Sequence, residues 1–371
     1  MTIVTIVAIL KIMNILLALA SRIRTPGVEG TLVRRIAHIG VLAILVAGSL
    51  VATASCGGSD GAEPSITVYS ARSQQLVGKL FDRFQAETGI DVQVRYGGSG
   101  ELASTILEEG ENSPADLFFA QDAGALGALE AEGVLRRLPD ELLRGIDSAY
   151  QSQNGVWVGV SGRARSVVFN SDSVEIGELP LSILGFTDPV WKGRIGWPPT
   201  NASFLSFVTA LRVVYGEDQA RDWLRGIIAN QPHRYKNNSA VVQAVGVGEV
   251  DVGFANHYYL YRFLEENGPE FPAANYFPPN GDLGAMVNVA GVGVLAASDT
   301  PERAVRLVEY LLSPEAQKYF ADTTYEFPLV PGIPADPRLP SVDELQVPDL
   351  KLGDLKDIQG TLDLMREIGM F

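Results

Sequence analysis

Asn256-His257-Tyr258-Tyr259 places two phenols beside an amide and an imidazole in four consecutive residues. A phenol has an ordinary pKa near ~10, so at neutral pH it holds a metal only if the metal displaces its proton. A small, hard, trivalent cation such as Fe(III) does this most effectively, and it prefers oxygen donors. The same four residues also read as an aromatic cluster on a helix, and alone they do not separate the two readings.

Catalytic readings of the other polar motifs fail on residue type. Beyond the first 55 residues the chain has only His233 and His257, so a His-dependent triad would have to use one of them. Gly159-Val-Ser161-Gly162-Arg163 starts like a nucleophile elbow but carries Arg where the last Gly belongs. Gly97-Gly-Ser-Gly100 lacks the Lys and spacing of a phosphate-binding loop. The sequence has no metal-hydrolase His pair and no Cys cluster. The chain is therefore expected not to be an enzyme, an exported phosphate-ester hydrolase being the enzymatic alternative.

Anion-binding features are better supplied. Thr200-Asn201-Ala202-Ser203 directly precedes a helical pattern that starts at Phe204, and unsatisfied N–H groups at a helix start attract oxyanions. Asn201 or Ser203 could equally serve as a cap. Asn237-Asn238-Ser239 repeats the arrangement. Arg163 and Arg165 lie on an extended stretch, and a guanidinium can clamp an oxyanion in bidentate fashion or pair with a surface carboxylate.

The elements that must position these groups follow from apolar patterning. Ser65–Ser70, Asp91–Tyr96 and Ala115–Ala120 read as strands; Gln74–Gly89, Glu101–Glu109 and Ala123–Glu132 read as helices between and after them. A second block has helices at Phe204–Tyr215, Glu217–Ala229, Val241–Gly246 and His257–Glu266. Helices at Pro301–Leu312, near Pro314–Ala321 and at Leu355–Ile368 follow, with a Pro-rich surface stretch from Pro328 to Pro348. Such alternation predicts an α/β fold. Two extended, Gly-punctuated runs, Val156–Arg163 and Val287–Leu295, are expected to cross between two lobes that close over a cleft. The expected N-terminal lobe comprises 65–163 and 289–340, and the C-terminal lobe 164–288 and 341–371.

The first 55 residues are expected to be an export leader. A basic start and the apolar run Ile39–Ala52 end in Thr53-Ala54-Ser55-Cys56, which resembles a lipoprotein cleavage box with Thr53 in place of the usual Leu. Arg34-Arg35 begins a complete signal by itself, so residues 1–30 read as an extended start; a further membrane segment is the alternative. Cys56 is the only cysteine. It is the expected lipidation site, and 56–64 the flexible tether behind it. A formal net charge of −15 argues against nucleic acid or an anionic membrane surface as a partner.

Several segments in fixed order resemble the bacterial ferric-ion-binding periplasmic proteins, the solute-binding components of iron(III) ABC importers. They are Val68-Tyr-Ser-Ala-Arg72, Pro114-Ala-Asp-Leu-Phe-Phe119, Ser161-Gly-Arg-Ala-Arg165, Trp191-Lys-Gly-Arg-Ile-Gly196, Asn238–Val245, Gly248-Glu-Val250, Asn256-His-Tyr-Tyr259 and Glu326-Phe-Pro-Leu329. The resemblance implies a two-lobed periplasmic-binding-protein fold of type II and a transferrin-like site. Tyr258 and Tyr259 match iron-binding tyrosinates, and Asn238 and Asn256 match anion-pocket asparagines. Thr200-Asn201-Ala202 falls at the helix start that holds the anion, and Arg163 matches an arginine that contacts carbonate in some members. The implied cargo is Fe(III) with phosphate or carbonate as synergistic anion. The implied partners are a membrane permease and its ATPase, for a monomer anchored by lipid outside the cytoplasm.

This chain departs from the phosphate-using members at two positions, with Ser73 where they have His and Gln121 where they have Glu. Phe204 stands where carbonate-using members can have a further Tyr. Gln121, the neighbouring Asp122 and Ser73 are thus the possible additional metal ligands. The alternative cargo is a small organic anion such as a phosphonate. His257 is expected to be structural.

Overall fold

The computed structural model describes residues 64–370 except 343, 344 and 346–349. The expected leader, Cys56, all but the last residue of the tether and part of the Pro-rich stretch lie outside the described residues. In chain order the strands and longer helices are β1 Ser65–Ser70, α1 Gln74–Thr88, β2 Asp91–Tyr96, α2 Ser99–Glu109, β3 Leu117–Ala120, α3 Ala123–Ala131 and α4 Asp140–Leu143. They continue with β4 Val158–Asn170, β5 Ile195–Trp197, α5 Ala202–Tyr215, α6 Glu217–Ala229, β6 His233–Arg234, α7 Asn238–Gly246, β7 Val252–Asn256, α8 Tyr258–Asn267, β8 Ala273–Tyr276 and β9 Val287–Val294. The last are α9 Pro301–Leu311, α10 Pro314–Tyr319, β10 Phe327–Pro328 and α11 Ile358–Glu367.

The helices agree with the apolar patterning to within a few residues. In α1 the buried face is Leu76, Val77, Leu80, Phe81 and Phe84, and Gly89 closes the helix at φ 68°, where a side chain would be strained. Near the site, β5, β6, β7 and β8 have no counterpart in the apolar patterning. They are two to five residues long, too short to carry a period.

The strands form one continuous path, β2-β1-β3-β9-β4-β7-β5-β6. β1 runs parallel to β2 and β3, while β9 runs antiparallel to β3 and β4. β4 joins the two portions of this path. Its residues from Val158 to Ala164 pair with β9, and from Arg165 to Phe169 they pair with β7. β10 pairs with β4 at Ser161 and Gly162, and β8 pairs with it from Val167 to Asn170. All thirteen residues of β4 are buried, so its two arginines project into protein on either side of this changeover.

α7 lies against β7 because Gly253 has no side chain. A Cβ there would stand 2.3 Å from Val241 and 3.2 Å from Val245. That close approach brings Asn238, the first residue of α7, to Asn256, the last of β7, whose N–H donates to the Asn238 Oδ1 at 3.3 Å. Behind α5, Phe204 is enclosed by Trp197, Phe207 and Trp223 at ring separations of 5.4, 6.0 and 6.4 Å. It is core, not a ligand.

Candidate functional site

β7 delivers its last residue, Asn256, and after His257 the chain turns at once into α8, so both tyrosines occupy that helix's first turn. Their rings stack with centroids 4.2 Å apart and planes 28° from parallel. Tyr258 is fully buried. Tyr259 is half-buried as a whole. Its phenol nonetheless lies deep enough that burial first, then Tyr258 beside it, pushes its pKa well above the ordinary value, against the pull of Arg72 and Arg163. The site without cargo therefore favours a protonated phenol at Tyr259.

His257 does not belong to this donor set. Its Nδ1 accepts from the Ala164 N–H at 3.1 Å and its Nε2 contacts the Tyr325 carbonyl at 2.7 Å, which fixes the neutral ring with the proton on Nε2. Burial, reinforced by Arg163, holds its pKa down at about 3. It locks α8 to β4, as expected of a structural histidine.

Three buried guanidiniums face the tyrosines. Arg72, which follows β1, sends Nη1 to the Tyr258 hydroxyl at a long 3.5 Å and lies 5.7 Å from its ring centroid. Its Nη2 pairs with Glu326, which also accepts from the Ser161 hydroxyl. Arg165 donates to the Asn256 Oδ1 at 3.1 Å and covers the Phe207 ring. Burial, then the nearby Arg163, lowers the Arg165 pKa to about 9. Arg163 is buried and makes only a 3.4 Å contact from Nη2 to the Val289 carbonyl; its Nε and Nη1 have no partner. Three guanidiniums thus stand among two carboxylates, Glu326 and Asp122, all buried. The resulting positive excess, together with the unpartnered donors on Arg163, fits an anion.

The remaining sequence candidates divide by what their side chains already do. Asn201 caps α5, its Oδ1 accepting from the Ser203 N–H at 3.1 Å, the Ser203 hydroxyl at 2.6 Å and Asn238 Nδ2 at 3.2 Å. Its acceptor is therefore engaged in capping, and the helix-start N–H groups near Ala202 are what this loop can offer an anion. Thr200 is exposed. Asp122 is likewise a cap, with Oδ1 accepting from the Ala125 N–H at 3.2 Å and the Ser206 hydroxyl at 3.3 Å, while Oδ2 is buried without a partner. Burial raises its pKa, opposed chiefly by Arg163. Gln121 has its backbone N–H on Ser99 Oγ and a buried Nε2 without a partner. Ser73 precedes α1, exposed, and makes no side-chain cap.

Among the described residues, no group of three or more His, Cys, Asp or Glu side chains could hold a metal. Arg72, Glu326 and Ser161 were not singled out from the sequence as site residues. Their signal was charge within apolar surroundings: Arg72 follows a buried strand and Glu326 precedes Phe-Pro-Leu, yet both are at most 1% exposed.

The family model described as bacterial extracellular solute-binding protein matches residues 66–326. The chain belongs to this family. This solute-binding protein is 30% identical over 338 residues to the Fe(3+)-binding periplasmic protein of Serratia marcescens, an alignment spanning 91% of the chain and 99% of the relative. Iron-bound HitA from Pseudomonas aeruginosa superimposes with a TM-score of 0.79 at 36% identity, covering 82% of this chain and 99% of that one. A Trichodesmium protein in complex with iron and citrate gives a TM-score of 0.70 at 30% identity, with 82% and 99% coverage. The periplasmic-binding-protein fold expected from the sequence is shown by these superpositions. Membership of a binding-protein family also meets the expectation that the chain is not an enzyme.

Proposed function

We propose that this solute-binding protein captures Fe(III) with a synergistic oxyanion outside the cytoplasm and delivers the iron to an ABC importer. The observation that carries the reading is the stacked Tyr258–Tyr259 pair set among buried arginines, with Arg163 left two donors short of partners. Tyr258 and Tyr259 ligate as phenolates. Arg163, the helix-start N–H groups near Ala202 and the linked amides of Asn238 and Asn256 surround the anion, which is phosphate, carbonate or a carboxylate of the kind seen in the Trichodesmium complex. Two lobes, 65–163 with 289–340 and 164–288 with 341–371, close over the cargo. Closure excludes water and strengthens each charge interaction.

The positive charge of Fe(III) offsets the cost of ionising the Tyr259 phenol, which burial keeps protonated. Each phenol that ionises on loading releases a proton, so the logarithm of affinity rises by about one unit per pH unit for each phenol so ionised. Gln121 and Asp122 are the further oxygen donors on this side of the site, and Asp122, engaged as the α3 cap, contributes little to the metal. Cys56 carries the lipid, with the preceding leader removed and 56–64 acting as tether. The monomer then presents its cargo to a permease and its ATPase.

Purified protein titrated with ferric salt in phosphate or bicarbonate should develop a visible phenolate-to-iron charge-transfer band. No band in either buffer would overturn the ferric reading. The excess of buried guanidinium also suits a small organic anion such as a phosphonate, which predicts instead a thermal shift that persists in the presence of a chelator.

A further inference from the structure

We infer that Arg72 is a positioning residue for Tyr258, held in register by Glu326, through which the loop after β1 orients the iron-ligating phenol on α8. The inference rests on the ferric reading for its consequence and on geometry for its basis. Ser70 fixes the loop: its hydroxyl donates to the Arg72 carbonyl at 2.9 Å and accepts the Arg72 N–H at 3.2 Å. From there the guanidinium reaches Glu326 with one nitrogen and the Tyr258 hydroxyl with another. Glu326 is itself held by Ser161 on β4 and by its own N–H on the Phe320 carbonyl at 3.0 Å.

The segment carrying Glu326 also grips α8 directly. Tyr325 sits at φ 57°, an uncommon conformation for a bulky residue that surrounding contacts must impose. Its carbonyl contacts His257 Nε2 at 2.7 Å and its hydroxyl donates to Glu265 near the end of α8. The Arg338 guanidinium lies 4.8 Å from the Tyr325 ring and 5.1 Å from that of Tyr261, whose hydroxyl donates to the Arg338 carbonyl at 3.2 Å. Tyr325 and Glu326 therefore hold the tyrosine helix along its length and hold the arginine that touches Tyr258. A fully buried guanidinium fixed at one end by a carboxylate has little freedom at the other. Once Tyr258 binds iron, its oxygen remains a hydrogen-bond acceptor, and Arg72 Nη1 is the donor beside it.

The test compares wild type, Arg72→Lys and the double variant Arg72→Gln/Glu326→Gln, which keeps buried polarity without leaving a lone charge. With ferric salt in phosphate or bicarbonate, the double variant should show a displaced charge-transfer band and roughly tenfold weaker binding, the size of one lost charge-assisted hydrogen bond. Arg72→Lys should recover most of the affinity while its band stays displaced, because an ammonium retains the charge but not the planar fork. A second readout needs no iron: the carbon-13 ring resonance of Tyr258, assigned with Tyr258→Phe, should shift or broaden in both variants of the iron-free protein. A Tyr258 resonance, band and affinity all equal to wild type in a folded variant would overturn the inference. If the double variant does not fold, an unchanged Tyr258 resonance in Arg72→Lys overturns it equally. Changed Tyr258 resonances alongside a wild type that gives no iron band would uphold the positioning role and remove the ferric reading instead.

Discussion

The starts of α3 and α8 are both strand-to-helix junctions that point oxygen-bearing side chains toward the same arginines, yet they use those oxygens differently. At α3, Asp122 spends one carboxylate oxygen on the Ala125 N–H and the Ser206 hydroxyl. At α8, His257 in the capping position makes no side-chain cap, and the Tyr258 hydroxyl receives a long hydrogen bond from Arg72. A carboxylate at a helix start serves the helix first because backbone N–H groups lie within its short reach. A phenol is held too far from the backbone by its ring to cap anything, so its oxygen stays available. The α8 junction thus leaves its phenol oxygens open to an external ligand, whereas the α3 junction commits a carboxylate oxygen to the fold.

Four measurements bear on that contrast. The largest effect is expected from replacing either phenol: Tyr258→Phe and Tyr259→Phe should each weaken ferric binding on the order of a thousandfold, about 4 kcal/mol. Folding stability should change far less, because each keeps its ring, and titration of the charge-transfer band alongside thermal unfolding separates the two effects. Next, Arg163→Gln should reduce affinity by roughly ten- to a hundredfold and flatten its dependence on phosphate or bicarbonate concentration. Equal anion dependence in that variant and wild type would remove Arg163 from the anion site.

A third measurement follows the iron-free fold into acid. His257 titrates at about 3 in the folded chain, below its ordinary 6.5, so the unfolded chain binds the extra proton first. Its stabilising contribution is whole above pH 6.5 and declines as pH falls toward 3, by at most about 1.4 kcal/mol per pH unit. Asp122, with its pKa raised, works in the opposite sense: its contribution is fully present below the ordinary carboxylate value and is lost as pH rises from there through the raised value in the fold. Urea midpoints from pH 7 to 4 should therefore fall, and more shallowly in His257→Gln than in wild type. The smallest effect is expected at α3. Asp122→Asn preserves a good cap, so iron affinity should stay within about threefold of wild type, whereas Asp122→Ala should cost about 1 kcal/mol of stability. A large loss of iron affinity in Asp122→Asn would make α3 a ligand-bearing junction after all.

Much of the fold was legible because long helices carry their period openly. α1, α5, α6 and α9 lie within two residues of where their apolar faces place them. The short strands β5 to β8 were not legible, and β7 is the one that sets Asn256 and leads into the tyrosines. The tyrosine pair was visible as chemistry. Arg72 and Glu326 were not, since residues 254 positions apart become partners only when β1 and the turn before β10 are folded together.

The sequence alone determined the donor types: two adjacent phenols, too few histidines for most catalysis, and arginines on an extended run. It also placed Asn201 where it could cap a helix or hold an anion, and Asp122 where it could hold a metal. Tertiary structure decided between those roles. Capping depends on local geometry that the side chain either meets or does not, and here both meet it. Whether Arg163 is solvated or buried without enough partners depends on which strands enclose β4, a nonlocal fact that no spacing along the chain records.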